Sequence, residues 1–234
     1  MIALTSLSPA PARREAQLEA VQSWRAAGLL PMSLNHPDEL AQLHEYDVEL
    51  VPCAAADVAP GGRYCVTVNA LLALLAKVQG QSLLLNSDIV LRLTQTQLAG
   101  FGARCAGGLG YLVKYNHGGD EHQAVREPYG IDAFLFDART VQLGAAYLAL
   151  GLPVWDYWLP YEFMRLGRPL YTTDDPVAFH RTHPQTWSMA TWDNLAVEFC
   201  RVYGLDSPTP ADRLALFRGL HAAINKAPRL SVLA

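Results

Sequence analysis

The sequence has 234 residues, of which 51% are hydrophobic and 17% are charged, with a formal net charge of −4. This composition is typical of a globular protein with a buried core and excludes a disordered chain. The length fits one large domain, or one domain with a helical appendage. The chain has no cluster of Lys and Arg, which excludes the basic surface that strong nonspecific nucleic-acid binding requires.

The cysteines and the first residues indicate the cellular compartment. Cys53, Cys65, Cys105 and Cys200 show no Cys-x-x-Cys spacing, so we expect free, mostly buried thiols in a reducing environment. The segment that begins at Met1 lacks the charged region and apolar core of a signal peptide. No run approaches the roughly 18 apolar residues of a membrane helix. These features predict a cytoplasmic protein without a membrane span.

The N-terminal part of the chain alternates between short apolar strands and helices. We predict strands at 2–6, 30–34 and 48–52, and helices at 12–27 and 37–46. This alternation, with short links, is typical of a parallel sheet with crossover helices. No Gly-x-Gly-x-x-Gly or phosphate-loop motif is present, which disfavours a dinucleotide-binding or P-loop fold.

An apolar run at 83–85 leads directly into a polar cluster of Asn86, Ser87 and Asp88. The run predicts a central strand that is buried on both faces. Because ligands bind outside the carboxyl ends of such strands, the cluster is a candidate site. The Asp88 carboxylate suits a hard cation such as Mg²⁺ or Mn²⁺. The alternative is a local one, in which Asp88 caps a turn and Asn86 bonds its own backbone.

Further elements are predicted in the middle of the chain. They are a buried helix at 66–78, a helix from Thr94 to about 101, and strands at 107–115, 129–137 and 168–171. Asp132 lies inside the apolar strand at 129–137. A carboxylate in that position is at a sheet edge, is paired, or faces a site.

Asp156 is the only acid in an aromatic segment that contains Trp155, Tyr157 and Trp158, at the start of a predicted helix. One interpretation is structural, with Asp156 as the helix N-cap and the aromatic side chains in the core. The other is functional, with Asp156 as a base whose proton affinity is raised by an apolar wall.

Two histidines, His180 and His183, follow the strand at 168–171. Their spacing would allow both to ligate a metal ion, but single histidines are also common as ordinary polar groups. From residue 191 the pattern becomes helical, with helices at 191–203 and 209–225. Thr209, Pro210 and Asp212 form a strong start signal for the second of these. We expect residues 191–234 to be a helical appendage packed on a domain formed by residues 1–190.

Four motifs in this order resemble the GT-A-type glycosyltransferases, the nucleotide-diphospho-sugar transferase superfamily of bacteria and phages. The motifs lie at 86–88, 130–136, 155–159 and 179–183, and the resemblance covers residues 1–190. It implies a GT-A-type α/β fold with a mostly parallel sheet, and transfer of a sugar from a nucleotide-diphosphate donor to a hydroxyl group. It also implies Mn²⁺ or Mg²⁺ as the cofactor.

The resemblance also implies roles for individual residues. Asp88 matches the last acid of the metal-binding D-x-D motif, while Asn86 stands where the first acid would be. Asp156 matches the general base. His180, with His183 as the second choice, matches the histidine that completes the metal shell.

Placement at the same rim of the sheet suggests the remaining contacts. Thr5, Ser6 and Asn35 follow predicted strands and are candidates for contacts with the base or ribose, and Ser87 is a candidate for donor binding. Asp132 is a candidate for contact with the sugar or the acceptor, and a second candidate for the base.

Two other functions remain open at this point. A nucleotidyltransferase that makes sugar nucleotides shares this type of fold, but it usually carries a glycine-rich basic loop after the first strand, where this chain has Leu7-Ser8-Pro9-Ala10-Pro11. A noncatalytic sugar- or nucleotide-binding protein would explain the loss of an acid at Asn86. The sequence leaves the acceptor open among a glycan, a lipid-linked sugar, a protein and a modified nucleobase.

Overall fold

The protein is built on a nine-stranded β-sheet flanked by helices, as a computed structural model of the chain shows. The structure describes residues 1–54, 64–140, 148–184 and 187–233, together with the backbone of residues 57–58. The arrangement is a mixed α/β, Rossmann-like fold, as the sequence predicts.

The strands follow the chain in the order β1 (Ile2–Thr5), β2 (Leu30–Asn35), β3 (Glu49–Pro52), β4 (Asp57–Val58), β5 (Tyr64–Cys65), β6 (Ser82–Leu85), β7 (Ile89–Leu91), β8 (Leu109–His117), β9 (Val125–Phe136), β10 (Leu170–Thr173) and β11 (Ala178–Arg181). In space the main sheet runs β3-β2-β1-β6-β9-β8-β11-β7, with β10 also paired to β8. The pairings β1–β2, β2–β3, β1–β6, β8–β10 and β8–β11 are parallel. The pairings β6–β9, β8–β9 and β7–β11 are antiparallel, so the sheet is mostly parallel.

The helices are α1 (Arg14–Ala26), α2 (Pro37–Leu40), α3 (Val68–Leu75), α4 (Gln95–Arg104), α5 (Trp155–Arg165), α6 (Met189–Tyr203) and α7 (Pro210–Ile224). Single 3₁₀ turns lie at Pro11–Arg13, Glu121–Gln123 and Ala138–Thr140. Among the described residues, no helix is both long enough and apolar enough to cross a membrane.

The central strand β6 is buried on both faces, which confirms the prediction from its leucines. Leu83, Leu84 and Leu85 are all fully inaccessible to solvent. Because side chains alternate along a strand, Leu84 packs into the core on one face of the sheet, while Leu83 and Leu85 pack into the core on the other. This strand therefore holds the two layers of helices together and fixes the position of the residues that follow it.

Helix boundaries agree with the capping signals in several places. Thr94 caps α4 and forms a capping box with Gln97, and Thr209 does the same for α7 with Asp212. Gly204 ends α6 in a left-handed conformation. The cap of α6, however, is Ser188, so this helix begins before the predicted residue 191.

Other boundaries were predicted wrongly. The helix predicted at 37–46 ends at Leu40, and the strand predicted from 129 begins at Val125. The strand predicted at 168–171 is β10, and His180 lies in a further strand, β11, that was not predicted. That strand pairs with β7, which was not predicted because it has only three residues.

The C-terminal helices and tail pack against the sheet and α5. The Tyr111 hydroxyl donates to the carbonyl oxygen of Ile224 over 2.9 Å, and Arg229 forms an isolated bridge with Thr172 of β10. Phe217 lies in the same apolar core as strand β6. Cys65, Cys105 and Cys200 are buried and Cys53 is partly buried, which agrees with the expectation of mostly buried thiols.

Candidate active site

A cavity of about 670 Å³ opens at the carboxyl ends of β1 and β6. Its walls come from the loops after these two strands, from β8, β9 and β11, from the start of α5, and from the C-terminal helices. The residues that the sequence had singled out and that line it are Ser6, Asn86, Ser87, Asp88, Asp132, Asp156, His180 and His183. The fold therefore brings together residues that lie up to about 180 positions apart in the chain.

Asp88, His180 and His183 form a compact cluster, with their ligand atoms all within 4.8 Å of one another. Asp88 Oδ2 lies 3.1 Å from His183 Nε2 and 3.7 Å from His180 Nε2. The Arg13 guanidinium approaches the same oxygen to 3.4 Å. Burial opposes ionisation of Asp88, but hydrogen bonds and charge from the two histidines outweigh it and hold the pKa of the carboxyl well below its usual range.

The cluster can accommodate a metal ion. One carboxylate and two imidazoles offer three ligand atoms close to one another, and this donor set suits Mn²⁺ and neighbouring transition metals better than Mg²⁺, which prefers oxygen alone. The side-chain amide of Asn86 donates to Asp132, while its Oδ1 is buried without a hydrogen-bond partner among the described residues.

Asp132 lies in a β-bulge, which explains a carboxylate inside an apolar strand. Leu112 pairs with Ala133 and Val113 pairs with Ile131, so Asp132 is the extra residue of β9. A bulge redirects a side chain from its regular face. The Asp132 carboxylate accepts a 2.8 Å hydrogen bond from Asn86 and forms a 2.6 Å ion pair with Lys114 Nζ. Asp132 is therefore paired.

Lys114 stays charged in this setting. Burial acts to lower its pKa, but the charge and hydrogen bond of Asp132 act more strongly, and the pKa is raised above its ordinary value. The cavity thus holds a buried cation beside the acids.

Asp156 lies in the first turn of α5, at its second residue. Val154 occupies the N-cap position, so the interpretation of Asp156 as the N-cap is wrong. The Asp156 side chain is partly buried, and its Oδ1 is enclosed without a hydrogen-bond partner in the described part of the chain. Burial, followed by the charge of Asp132, raises the pKa of Asp156 to about 7, although Lys114 and nearby backbone amides act in the opposite direction.

The turn before α5 is strained. Val154 has φ of 81°, which makes it the one non-glycine residue with positive φ among the described residues. This conformation is unfavourable for a β-branched residue, and such strain clusters at functional sites. Here it aims the first turn of α5, and with it Asp156, at the cavity.

Thr5 and Asn35 do not reach the cavity, contrary to the expectation that they contact a ligand. Both are fully buried. Asn35 donates to the carbonyl of Leu7 and to Glu39, while Ser33 accepts from the backbone amide of Leu7. These bonds fix the loop after β1, which supplies the cavity residue Ser6, so the role of Asn35 is to support that loop.

The C-terminal part of the chain contributes an aromatic and apolar wall. Its residues are Trp187, Met189, Trp192, Leu214, Phe217 and Arg218. Met189 is 63% exposed and Leu214 is 38% exposed, although both line the cavity. The wall joins the aromatic segment of α5, since the rings of Tyr157 and Phe217 are 5.5 Å apart.

Sequence reasoning missed several cavity residues, namely Arg13 as a partner of Asp88, Lys114, Asn116 and Glu127. Lys114 and Asn116 lie in β8. Their alternation with Val113 and Tyr115 was the available signal, because it is typical of a strand with one polar face. Arg13 lies in the turn before α1, where nothing in the local pattern points to a partner 75 residues away.

Comparison with known proteins finds similarity to solved structures only, and at low identity. No protein-family model matches the sequence, and no curated protein matches it significantly. Among the solved structures that resemble it are two with 12% identity. One is described as a nucleotide-diphospho-sugar transferase from Desulfovibrio desulfuricans G20, with a TM-score of 0.45 over 97% of both chains.

The other is described as a glucose-1-phosphate thymidylyltransferase from Bacillus anthracis in complex with sucrose. Its TM-score is 0.37, over 59% of this chain and 71% of that chain. Both TM-scores are too low to indicate a function for this chain.

Proposed function

We propose that this protein is a glycosyltransferase that moves a sugar from a nucleoside-diphosphate donor to a hydroxyl acceptor. The observation that carries the proposal is Asp156, a partly buried acid with a pKa of about 7 in the same cavity as the Asp88, His180 and His183 cluster. A side chain that accepts and releases protons during catalysis works best when its pKa lies near the working pH.

The donor diphosphate is proposed to bind at the cluster end of the cavity. Asp88, His180 and His183 would hold a divalent cation there, and that cation would supply Lewis-acid stabilisation of the diphosphate leaving group. Arg13, 3.4 Å from Asp88, offers a planar guanidinium that suits phosphate oxygens. Ser6, Ser87 and Asn86 line the adjoining wall and offer hydrogen bonds to the donor.

The proposed reaction is a direct displacement. The acceptor oxygen forms a bond to the anomeric carbon as the bond from that carbon to the diphosphate oxygen breaks, and the leaving diphosphate takes the electron pair. Asp156 accepts the acceptor's hydroxyl proton, for which it must start as a carboxylate. Asp132 is paired to Lys114, so its contribution is to raise the proton affinity of Asp156 and to hold Asn86 in place.

The aromatic wall suits the acceptor. Trp187, Trp192 and Phe217 line the cavity, and aromatic rings pack well against the apolar faces of a sugar. We therefore propose a glycan or lipid-linked sugar as the acceptor class, ahead of a protein or a modified nucleobase.

The test is incubation with UDP-, GDP-, ADP- and dTDP-sugars and, in parallel, with nucleoside triphosphates plus sugar phosphates, each with and without Mn²⁺, followed by analysis of the products. Release of nucleoside diphosphate, by transfer or by slow hydrolysis, supports the proposal. Release of pyrophosphate from a nucleoside triphosphate and a sugar phosphate would identify a nucleotidyltransferase, and binding without turnover would identify a noncatalytic protein. A thermal-shift screen of the same compounds selects the donor first, since a bound ligand raises the apparent stability.

A further inference from the structure

A hydrogen-bond chain behind His180 determines which of its ring nitrogens carries a proton. Asn116 Nδ2 donates to Glu127 Oε2 over 2.9 Å. A carboxylate only accepts, so the amide nitrogen of Asn116 must face Glu127 and its oxygen must face the other way. That oxygen, Oδ1, lies 2.9 Å from His180 Nδ1. Since an amide oxygen has no hydrogen, Nδ1 is the donor.

His183 is fixed in the same tautomer by a different partner. Its Nδ1 lies 3.1 Å from the carbonyl oxygen of Pro184, which can only accept. Both histidines therefore use Nδ1–H for a structural hydrogen bond, which leaves Nε2 of each ring as the nitrogen that faces the cavity cluster. The two Nε2 atoms are 3.1 Å apart.

Asp88 Oδ2 lies 3.1 Å and 3.7 Å from these two nitrogens, so each Nε2 can donate to Asp88 when it is protonated and can bind a metal ion when it is not. Arg13 supplies one positive charge to Asp88, but the contact between the two Nε2 atoms remains. A proton between the two Nε2 atoms would satisfy that contact alone, whereas a divalent cation would be held by all three residues. Two imidazoles in the set favour a first-row transition metal over Mg²⁺.

We propose that Glu127 and Asn116 are positioning residues that commit His180 Nε2 to metal binding, and that the resulting site selects Mn²⁺ over Mg²⁺. The proposal deepens the proposed function, because it concerns the cation that would assist the donor. It is tested without any nucleotide, so it stands or fails separately from sugar transfer.

The experiment is calorimetric titration of the full chain with Mn²⁺ alone and with Mg²⁺ alone. We expect the unaltered protein to bind Mn²⁺ at least about tenfold more tightly than Mg²⁺, following the general order of metal preference for nitrogen ligands. Asn116→Leu removes the acceptor of Nδ1–H and frees His180 to take the other tautomer. It should weaken Mn²⁺ binding by about 10- to 100-fold, the usual effect of losing a partner behind a ligand.

In the double variant Asn116→Asp with Glu127→Gln, the side chain at position 127 donates the hydrogen bond to the side chain at position 116. The side chain at position 116 keeps an oxygen that accepts from His180 Nδ1–H. It should bind Mn²⁺ within about threefold of the unaltered protein, since the Nδ1–H partner that supports the ligand is retained. Glu127→Leu, at a partly exposed position, removes the anchor that orients Asn116 and should give a loss between the two. Gln81→Leu is the matched control, because it removes an amide that donates to Gly102 outside the cavity, and it should leave the Mn²⁺ affinity unchanged.

Three results would overturn the proposal. The first is equal binding of Mn²⁺ and Mg²⁺, or no binding of either, by the unaltered protein. The second is unchanged Mn²⁺ affinity in folded Asn116→Leu or, should that variant not fold, in Glu127→Leu. The third is weak Mn²⁺ binding by the double variant, provided that its thermal unfolding without metal matches that of the unaltered protein. In that case a hydrogen-bond acceptor at position 116 would not be what supports His180 as a ligand.

Discussion

Asp156 is subject to opposing demands, because the burial that raises its proton affinity also makes its ionised form costly. Replacement by Asn keeps the size and most of the shape of the side chain but removes the proton acceptor. We expect Asp156→Asn to fold and to bind the donor normally, and to lose transfer by about a hundredfold or more, as for loss of a general base. Single-turnover assays with a saturating donor check this. Near-normal transfer would remove Asp156 from the mechanism.

The pH dependence of transfer follows from the same group. Asp156 must be a carboxylate to accept a proton, and its pKa is about 7. If Asp156 is the general base, turnover of the unaltered protein should rise with pH through about 7 and level off above it. The residual activity of Asp156→Asn should lack this rise. A profile that is flat between pH 6 and 8 in the unaltered enzyme would show that another group takes the proton.

Stability should show the opposite trend with pH. A pKa raised from 3.8 to about 7 on folding means that Asp156 favours the folded state fully below about pH 4 and loses this contribution as pH rises through 7. Each pKa unit corresponds to about 1.4 kcal/mol, so the cost at pH 8 is on the order of a few kcal/mol. Relative to the unaltered protein, Asp156→Asn should melt at progressively higher temperature between pH 4 and 7, and the difference should then stay constant. Calorimetric scans across this range measure it, and a difference that does not change with pH would contradict the pKa assignment.

At the residue scale, the sequence contained the signals for Asp88, His180 and Asp156, because each stands out from its neighbours by residue type. It did not contain the signal that Asp132 is paired. That depends on a bulge opposite Leu112 and Val113, a register feature set by two strands together. For the same reason, Asn35 has the residue type of a ligand contact but is used to support the loop after β1.

At the scale of elements, β8 and β9 depend on a close approach at Gly130. A Cβ at that position would lie 2.6 Å from Lys114 Cγ and Cε and 2.7 Å from Glu127 Cγ. Gly130→Ala should therefore displace Lys114 from Asp132 while leaving the strands paired. We expect turnover to fall by about tenfold or more, because small displacements of positioning groups are costly. Steady-state kinetics combined with far-UV circular dichroism separate the loss of activity from unfolding.

Gly100→Ala provides the matched control for that substitution. Gly100 lies inside α4, and a Cβ there meets nothing within 4 Å. Alanine should stabilise the helix by about 0.5–1 kcal/mol and leave turnover unchanged. Equal turnover in the two alanine variants would show that the contact at Gly130 does not position the site.

Elements were predictable where both the local pattern and the caps specify them. The leucines of β6, the capping box at Thr94 and the start signal at Thr209 are local features, and the structure has an element at each. The antiparallel direction of β9 and the existence of β11 are not local. They result from pairing with β6 and β8 in one case and with β7 and β8 in the other. A short strand such as β7 is stable only because its partners are present.

At the scale of the whole molecule, we propose that the C-terminal helices belong to the same folding unit as the sheet. Phe217 of α7 is 4% exposed, and its ring lies 5.5 Å from Tyr157 of α5, 5.3 Å from Trp192 and 5.2 Å from Phe199. It therefore joins α6 and α7 to the helix that carries Asp156. An appendage with its own core would not share a central residue in this way.

The cooperativity of unfolding tests this proposal. If the chain is one unit, Phe217→Ala should lower the single transition as a whole, by about 3–5 kcal/mol for a buried aromatic residue, or very roughly 10 °C for a chain of this size. Val197→Ala on α6, whose side chain is 43% exposed, should change stability by less than about 0.5 kcal/mol. Calorimetry and tryptophan fluorescence should follow the same curve in both variants. The contrary result is an early transition confined to the C-terminal helices of Phe217→Ala, with the sheet melting at its original temperature. It would define residues 191–234 as a separate unit. The aromatic wall could then move away from the rest of the cavity without unfolding of the sheet.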